Sequence, residues 1–128
     1  MSRRHSLGDL QIAIMRILWL RGEASVADVH GALLEERALA PTTIATMLLK
    51  MEKKGVVAHR TEGRRFIYQP TISEAQVRRG MVDELTDRLF GGDSSALVAH
   101  LLAEHRASET ELEEIREQIA QHENREED

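Results

Sequence analysis

"PTTIATMLLKMEKKG", residues 41–55, decides how the rest of the chain is read. Pro41 suits the first turn of a helix, because the amide proton it lacks would have had no partner there. Gly55 suits the position just past a helix end, where the backbone turns left-handed. Between them Ile44, Met47, Leu48 and Met51 recur at three- and four-residue steps and define one buried stripe. At about 100° per residue, the opposite face carries Thr42, Thr46, Leu49 and Lys53, with Thr43 and Lys50 on one shoulder. The outer face of this helix therefore offers short hydroxyls at its start and ammonium groups at its end.

Working outward, "VVAHR" (56–60) and "RRFIYQ" (64–69) are β-rich runs separated by Thr61, Glu62 and Gly63, and Pro70 closes the second. That is a hairpin signal, with a glycine available for a left-handed turn position. Upstream, Ser6 and Asp9 have the spacing of a helix start, and Leu10, Ile14, Ile17, Leu18 and Trp19 follow at helical steps. A first helix is expected over Leu7 to Arg21, with Trp19 in the core. Ser25 and Asp28 repeat the start signal for a second helix, whose buried face is Val26, Val29 and Leu33; Ala24 is a candidate for a short strand. Residues 1–70 thus read as three helices and a two-stranded hairpin.

Residues 71–128 read as helix. Ser73 with Gln76 opens one bearing Val77, Met81, Leu85 and Leu89, which stops at Gly91–Gly92. "SSALVAHLLAEH" (94–105) follows, and Ser108 with Glu111 opens a last helix with Leu112, Ile115 and Ile119. About 50 helical residues rarely bury a sufficient core alone. A second copy is expected to cover Val77, Met81, Leu85, Leu97, Leu101, Leu112, Ile115 and Ile119. The expected fold class is mainly α with a small β-hairpin: a winged helix-turn-helix (1–70), then a helical dimerisation region (71–122) and a frayed acidic tail (123–128).

Composition narrows the function. No cysteine is present, which excludes disulfide staples, thiolate metal sites and cysteine nucleophiles. No apolar run approaches the roughly 18 residues of a membrane helix. The opening "MSRRHSLGD" lacks an apolar stretch ahead of a small-residue cleavage site, so a cytoplasmic location is expected. The net charge of −5 divides into +4 over residues 1–70 and −9 over residues 71–128. A basic part beside an acidic one points to a polyanion-binding module joined to something else. His5, His30, His59, His100, His105 and His122 are scattered, and no H-E-x-x-H, nucleophile elbow or phosphate-binding glycine loop occurs. Catalysis and a resident cofactor or metal are not expected.

A hydroxyl-and-lysine helix preceded by another helix at a short turn is what a helix-turn-helix needs on double-stranded DNA. Small side chains can approach base edges in the major groove while cations meet phosphates. Thr42, Thr43 and Thr46 are the candidate base contacts. Leu49 would suit a thymine methyl, or packing beneath the hairpin. Lys50, Lys53 and Lys54 are candidate phosphate contacts, and Arg60, Arg64 and Arg65 would act from the wing on phosphates or in the minor groove.

The segments "LGDLQIAIMRILW", "ASVADVHGALLE", "PTTIATMLLKMEKKGVV" and "GRRFIYQP", and further on "FGGDSSALVAHLLAE" and "SETELEEIREQI", resemble the penicillinase-repressor (BlaI/MecI/CopY) family of winged-helix repressors over nearly the whole chain. The resemblance implies a homodimer held by the C-terminal helices, bound to an inverted-repeat operator and repressing transcription until removed. It further implies, from antibiotic-resistance systems, a membrane sensor protease as partner and a cleavage region at His100–Leu101, where the best-known members carry Asn–Phe. Ala45 stands where some members have arginine. The paired cysteines of the copper-responsive branch are absent.

Two other readings compete. A winged helix used only as a protein-interaction adaptor would have no need of Lys53, Lys54, Arg64 and Arg65 near the wing. A metal-responsive repressor could use His100 and Glu104, four apart on one helix face, with adjacent His105, if a second element or subunit supplied further ligands.

Overall fold

The computed structural model describes residues 6–104 and 108–127, apart from the side chains of 126 and 127. In chain order the elements are α1 (Asp9–Arg21), β1 (Ala24–Ser25), α2 (Val26–Leu33), α3 (Pro41–Lys53), β2 (Val57–Glu62), β3 (Arg65–Pro70), α4 (Glu74–Phe90), α5 (Ser94–Glu104) and α6 (Glu109–Glu127). The strands form one antiparallel sheet in the order β1-β3-β2, with Tyr68 opposite both Ala24 and His59. The chain divides into two compact units after Glu84, inside α4. No helix among the described residues is long and apolar enough to cross a membrane.

Local periodicity had marked Ile14, Leu18, Val29, Leu33, Ile44, Leu48 and Met51 of the first unit's core, but not Met15 or the sheet residues, while the marked Leu10, Ile17 and Val26 pack on it only partly buried. Ile14, Met15 and Leu18 come from α1, Val29 and Leu33 from α2, Ile44, Leu48 and Met51 from α3, and Val56, Val57 and Tyr68 from the sheet region; all are buried in one cluster. Met47 and Trp19 pack against it partly buried. The indole of Trp19 also donates to the Ile72 carbonyl at 2.9 Å, pinning the segment that follows the sheet. Val77 is buried in the same cluster and Met81 packs on it, so the start of α4 belongs to this unit. The unit therefore ends at Glu84, not at the boundary of residue 70 that Pro70 suggested.

Capping explains where the helices begin. At α1 the start is Asp9 rather than Leu7: Gly8 holds the N-cap position and donates its N–H to Gln11 Oε1 at 3.3 Å, while Leu7 is buried ahead of the helix. At α2 the expected reciprocal box forms, with Ser25 N–H donating to Asp28 Oδ2 at 3.0 Å and Asp28 N–H to Ser25 Oγ at 3.1 Å. Ser73 and Gln76 repeat it at α4, at 2.9 and 3.1 Å.

Pro41 occupies the first turn of α3 after an extended Ala40. At the other end Gly55 (φ +82°) donates to the Glu52 carbonyl at 2.9 Å and Val56 donates to the Met51 carbonyl at 3.1 Å. These are the two bonds of a Schellman motif, and the buried pair Met51 and Val56 supplies its hydrophobic contact. The motif sends the chain directly into β2. The turn from β2 to β3 contains only Gly63 and Arg64, since Glu62 pairs with Arg65. Gly63 has φ +64° and no non-glycine among the described residues, Arg64 included, has a positive φ, the combination a type II′ hairpin turn requires.

In the second unit Gly91 and Gly92 (φ +57° and +82°) break the chain between α4 and α5. Asp93 Oδ1 then accepts from Ala96 N–H at 3.1 Å, an N-cap that the sequence reading missed. Ser108 Oγ accepts from Glu111 N–H at 3.1 Å and starts α6. The helix continues to Glu127, so residues 123–127 are helical where a frayed tail was expected. The unit buries little: Leu97 and Leu112 are half-buried, while Leu85, Leu89, Leu101, Ile115 and Ile119 are exposed.

Candidate nucleic-acid interface

The exposed face of α3 is the one its sequence defined. Thr42, Thr43, Thr46, Leu49, Lys50 and Lys53 are all exposed, while Ile44, Leu48 and Met51 on the opposite side are buried and Met47 is half-buried. Thr42, Thr43, Thr46, Met47 and Lys50 together line a shallow depression of about 270 Å³. The side chains of Lys50 and Lys53 make no hydrogen bond or ion pair among the described residues, so both ammonium groups are available to an external anion.

Lys54 is placed differently. Its Nζ donates to the Ser6 carbonyl and to Gln11 Oε1, each at 3.1 Å, and Gln11 Nε2 in turn donates to Met47 Sδ at 3.3 Å. The ammonium group fastens the approach to α1 onto the end of α3. No periodicity could announce this, because the partners lie 43 and 48 residues away.

The wing arginines also separate into two kinds. Arg60 on β2 pairs with both oxygens of Glu23, one contact at 3.1 Å and a shorter one, and with Glu62 at 3.0 Å. The guanidinium beside Glu23 holds that carboxyl below its ordinary range, and the same contact, with Glu62 assisting, raises Arg60. Arg60 thus ties the outer edge of the hairpin to the approach to β1. Arg64, at the turn, has no partner among the described residues. Arg65 lies near enough to Asp28 to assist the Ser25 hydrogen bonds that hold that carboxyl down.

His59 joins helix and wing. Its Nδ1 stands 2.6 Å from Glu52 Oε1 on α3, and its ring stacks on Phe66 at 4.1 Å between centroids. Tyr68 lies 5.5 Å from the same ring, and burial, with Glu52 adding to it, pushes its phenol up. Sequence reading missed this set, since Glu52 and His59 lie on either side of a chain reversal.

In the second unit, His100 and Leu101 lie inside α5, and His100 sits 5.7 Å from the Phe90 ring. Glu104 ends that helix, and His105 falls outside the described residues. Among the described residues no three His, Asp or Glu side chains are grouped to hold a metal ion.

A third helix with exposed hydroxyls and unpaired lysines, followed by a sheet whose tip carries arginine, defines the molecule as a winged helix of the nucleic-acid-binding type. Residues 7–121 match the sequence model of the penicillinase repressor family, and the chain belongs to that family of DNA-binding transcriptional repressors, which are not enzymes. It is 28% identical over 125 residues to the penicillinase repressor of Bacillus licheniformis, covering 98% of each chain. It is 34% identical over 123 residues to the transcriptional regulator BlaI of Mycobacterium tuberculosis, covering 94% of this chain and 88% of that one. Among solved structures, the DNA-binding domain of the repressor BlaI superimposes with a TM-score of 0.52 at 33% identity, over 59% of this chain and 93% of that one. The monomeric form of Bacillus licheniformis BlaI, solved in complex with the blaP half-operator, gives 0.51 at the same identity and coverage.

Proposed function

We propose that this chain is a cytoplasmic, homodimeric repressor that binds an inverted-repeat operator through two winged helices. The observation that carries the reading is the outer face of α3, where three exposed threonines stand beside two lysines without intramolecular partners. Thr42, Thr43 and Thr46 touch base edges; Lys50 and Lys53, with Arg64 and Arg65 on the wing, take phosphates. Lys54 and Arg60 hold the fold that presents them. The relative BlaI, whose winged helix this chain resembles at 33% identity, binds a half-operator as a monomer, which supports one winged helix per half-site. The exposed apolar residues Leu85, Leu101, Ile115 and Ile119 support self-association through the C-terminal helices. A cut at His100–Leu101 would sever α5 and separate α6 covalently from the winged helix, which is one way to lift repression.

The test is selection of DNA from a random pool by the full-length protein, followed by titration at two salt concentrations. An enriched inverted repeat, bound by two subunits with an affinity that falls steeply with salt, is the expected result. Absence of enrichment and of binding at low salt would refute the repressor reading and favour a protein-interaction adaptor.

A further inference from the structure

Between α2, α3 and the wing lies a cleft of about 530 Å³ that includes Pro41, Ala45, Leu49 and Phe66 in its lining, with Arg64 and Arg65. Leu49 is 49% exposed and Phe66 42%, so neither is packed beneath the hairpin as a core residue would be. Pro41, Ala45 and Leu49 form a row at four-residue steps along one flank of α3. Leu49 stands about 60° around the helix from Thr46 and about 20° from Thr42. The recognition face therefore has two flanks of different chemistry. One carries Thr43 and Lys50; the other presents Pro41, Ala45 and Leu49 to the cleft, and the one carboxylate on that side, Glu52, is held by His59.

In the major groove of B-DNA, the apolar group that distinguishes one base pair from another is the 5-methyl of thymine. We infer that Leu49, with the short side chains of Ala45 and Pro41 leaving room beside it, reads the 5-methyl group of a thymine in each operator half-site. Charge supports this occupant: the cleft is lined by two arginines suited to the phosphates flanking such a base, and Arg64 has no internal partner among the described residues. The inference rests on the DNA-binding reading above and adds which feature of the base is recognised.

The test uses the full-length protein and the operator selected from the random pool, with each thymine replaced in turn by deoxyuridine, which keeps every hydrogen-bonding group and removes only the methyl. One symmetric position per half-site is expected to weaken binding roughly fourfold, the scale of one buried methyl group. Leu49→Ala should bind the thymine and uracil operators equally, and Lys50→Ala should keep the discrimination while losing affinity for both. Tight binding of the parent operator with no thymine sensitive to replacement would overturn the inference and leave the repressor reading intact. So would a Leu49→Ala protein that retains the full thymine preference. Failure to bind any operator would refute both.

Discussion

Arg60 and Arg64 lie four residues apart on one hairpin and have opposite electrostatic surroundings. Arg60 is neutralised by Glu23 and Glu62, whereas Arg64 stands at the turn without a partner among the described residues. Only a cation that gains a phosphate on binding releases counterions. Arg64→Gln is therefore expected to lower the slope of log affinity against log salt by about one, while Arg60→Gln leaves it unchanged. Salt titration of both variants on one operator checks the contrast, and equal slopes would contradict it. Thr46→Ala should instead reduce the preference for operator over random DNA, because a base contact carries sequence information and a phosphate contact does not. A second residue-scale expectation concerns Asp28. Backbone and side-chain hydrogen bonds from Ser25 lower its pKa from the ordinary 3.8, so between the folded and unfolded values the unfolded chain binds more protons. Its contribution to stability is complete above 3.8 and disappears as pH falls through the folded value. Thermal unfolding followed into that acid range should show Asp28→Asn losing less stability on acidification than the parent, since the amide oxygen still accepts from Ser25 N–H without titrating.

At the scale of elements, two glycines separate conformational need from mere presence. Gly55 closes α3 with φ +82°, and a Cβ there would meet nothing within 4 Å, so any cost of adding one is conformational. Gly55→Ala should destabilise the protein by about 1–2 kcal/mol, the cost of a left-handed backbone for an L-residue. Gly31 lies inside α2 with no positive φ and equally open surroundings. Gly31→Ala should stabilise by about 0.5–1 kcal/mol, because alanine loses less backbone freedom on entering a helix. Urea denaturation reads both as opposite shifts in midpoint with an unchanged m-value. The signal for Gly55 was visible in sequence because helix punctuation is local: Pro41, the apolar stripe and Gly55 all act within one element. The true start of α1 was less visible: the Ser6 and Asp9 spacing pointed to Leu7, whereas Gly8 with Gln11 caps the helix and Leu7 is buried ahead of it.

For the whole molecule, the second unit leaves Leu85, Leu89, Val98, Leu101, Leu102, Ile115 and Ile119 exposed, and these are the positions through which the proposed self-association would act. Replacing Ile115 and Ile119 with Asp puts charge at two such positions on α6. The double variant should sediment as a monomer, bind an isolated half-site as the parent does, and bind the full operator more weakly, because each half-site alone supplies few contacts. A variant that remains dimeric would rule out α6 as the interface. Val77 and Met81, first grouped with the self-association residues, are already occupied in the core of the winged helix. The sequence could not reveal this, since a helical stripe is compatible with any apolar partner.

Period, punctuation and charge, all readable along the chain, determined the helices, the hairpin, the polar face of α3 and its approach to DNA as an expectation. These are properties of residues within a turn or two of each other, or of a sheet connection two residues long. Tertiary structure decided which of the cations are available. Lys54 is committed to Ser6 and Gln11, Arg60 to Glu23 and Glu62, while Lys50, Lys53 and Arg64 are left without partners among the described residues. It also brought α3 beside the wing, so that Leu49, anomalous on a polar helix face, became part of an apolar cleft. Such assignments depend on groups far apart in the chain, and only packing sets those distances.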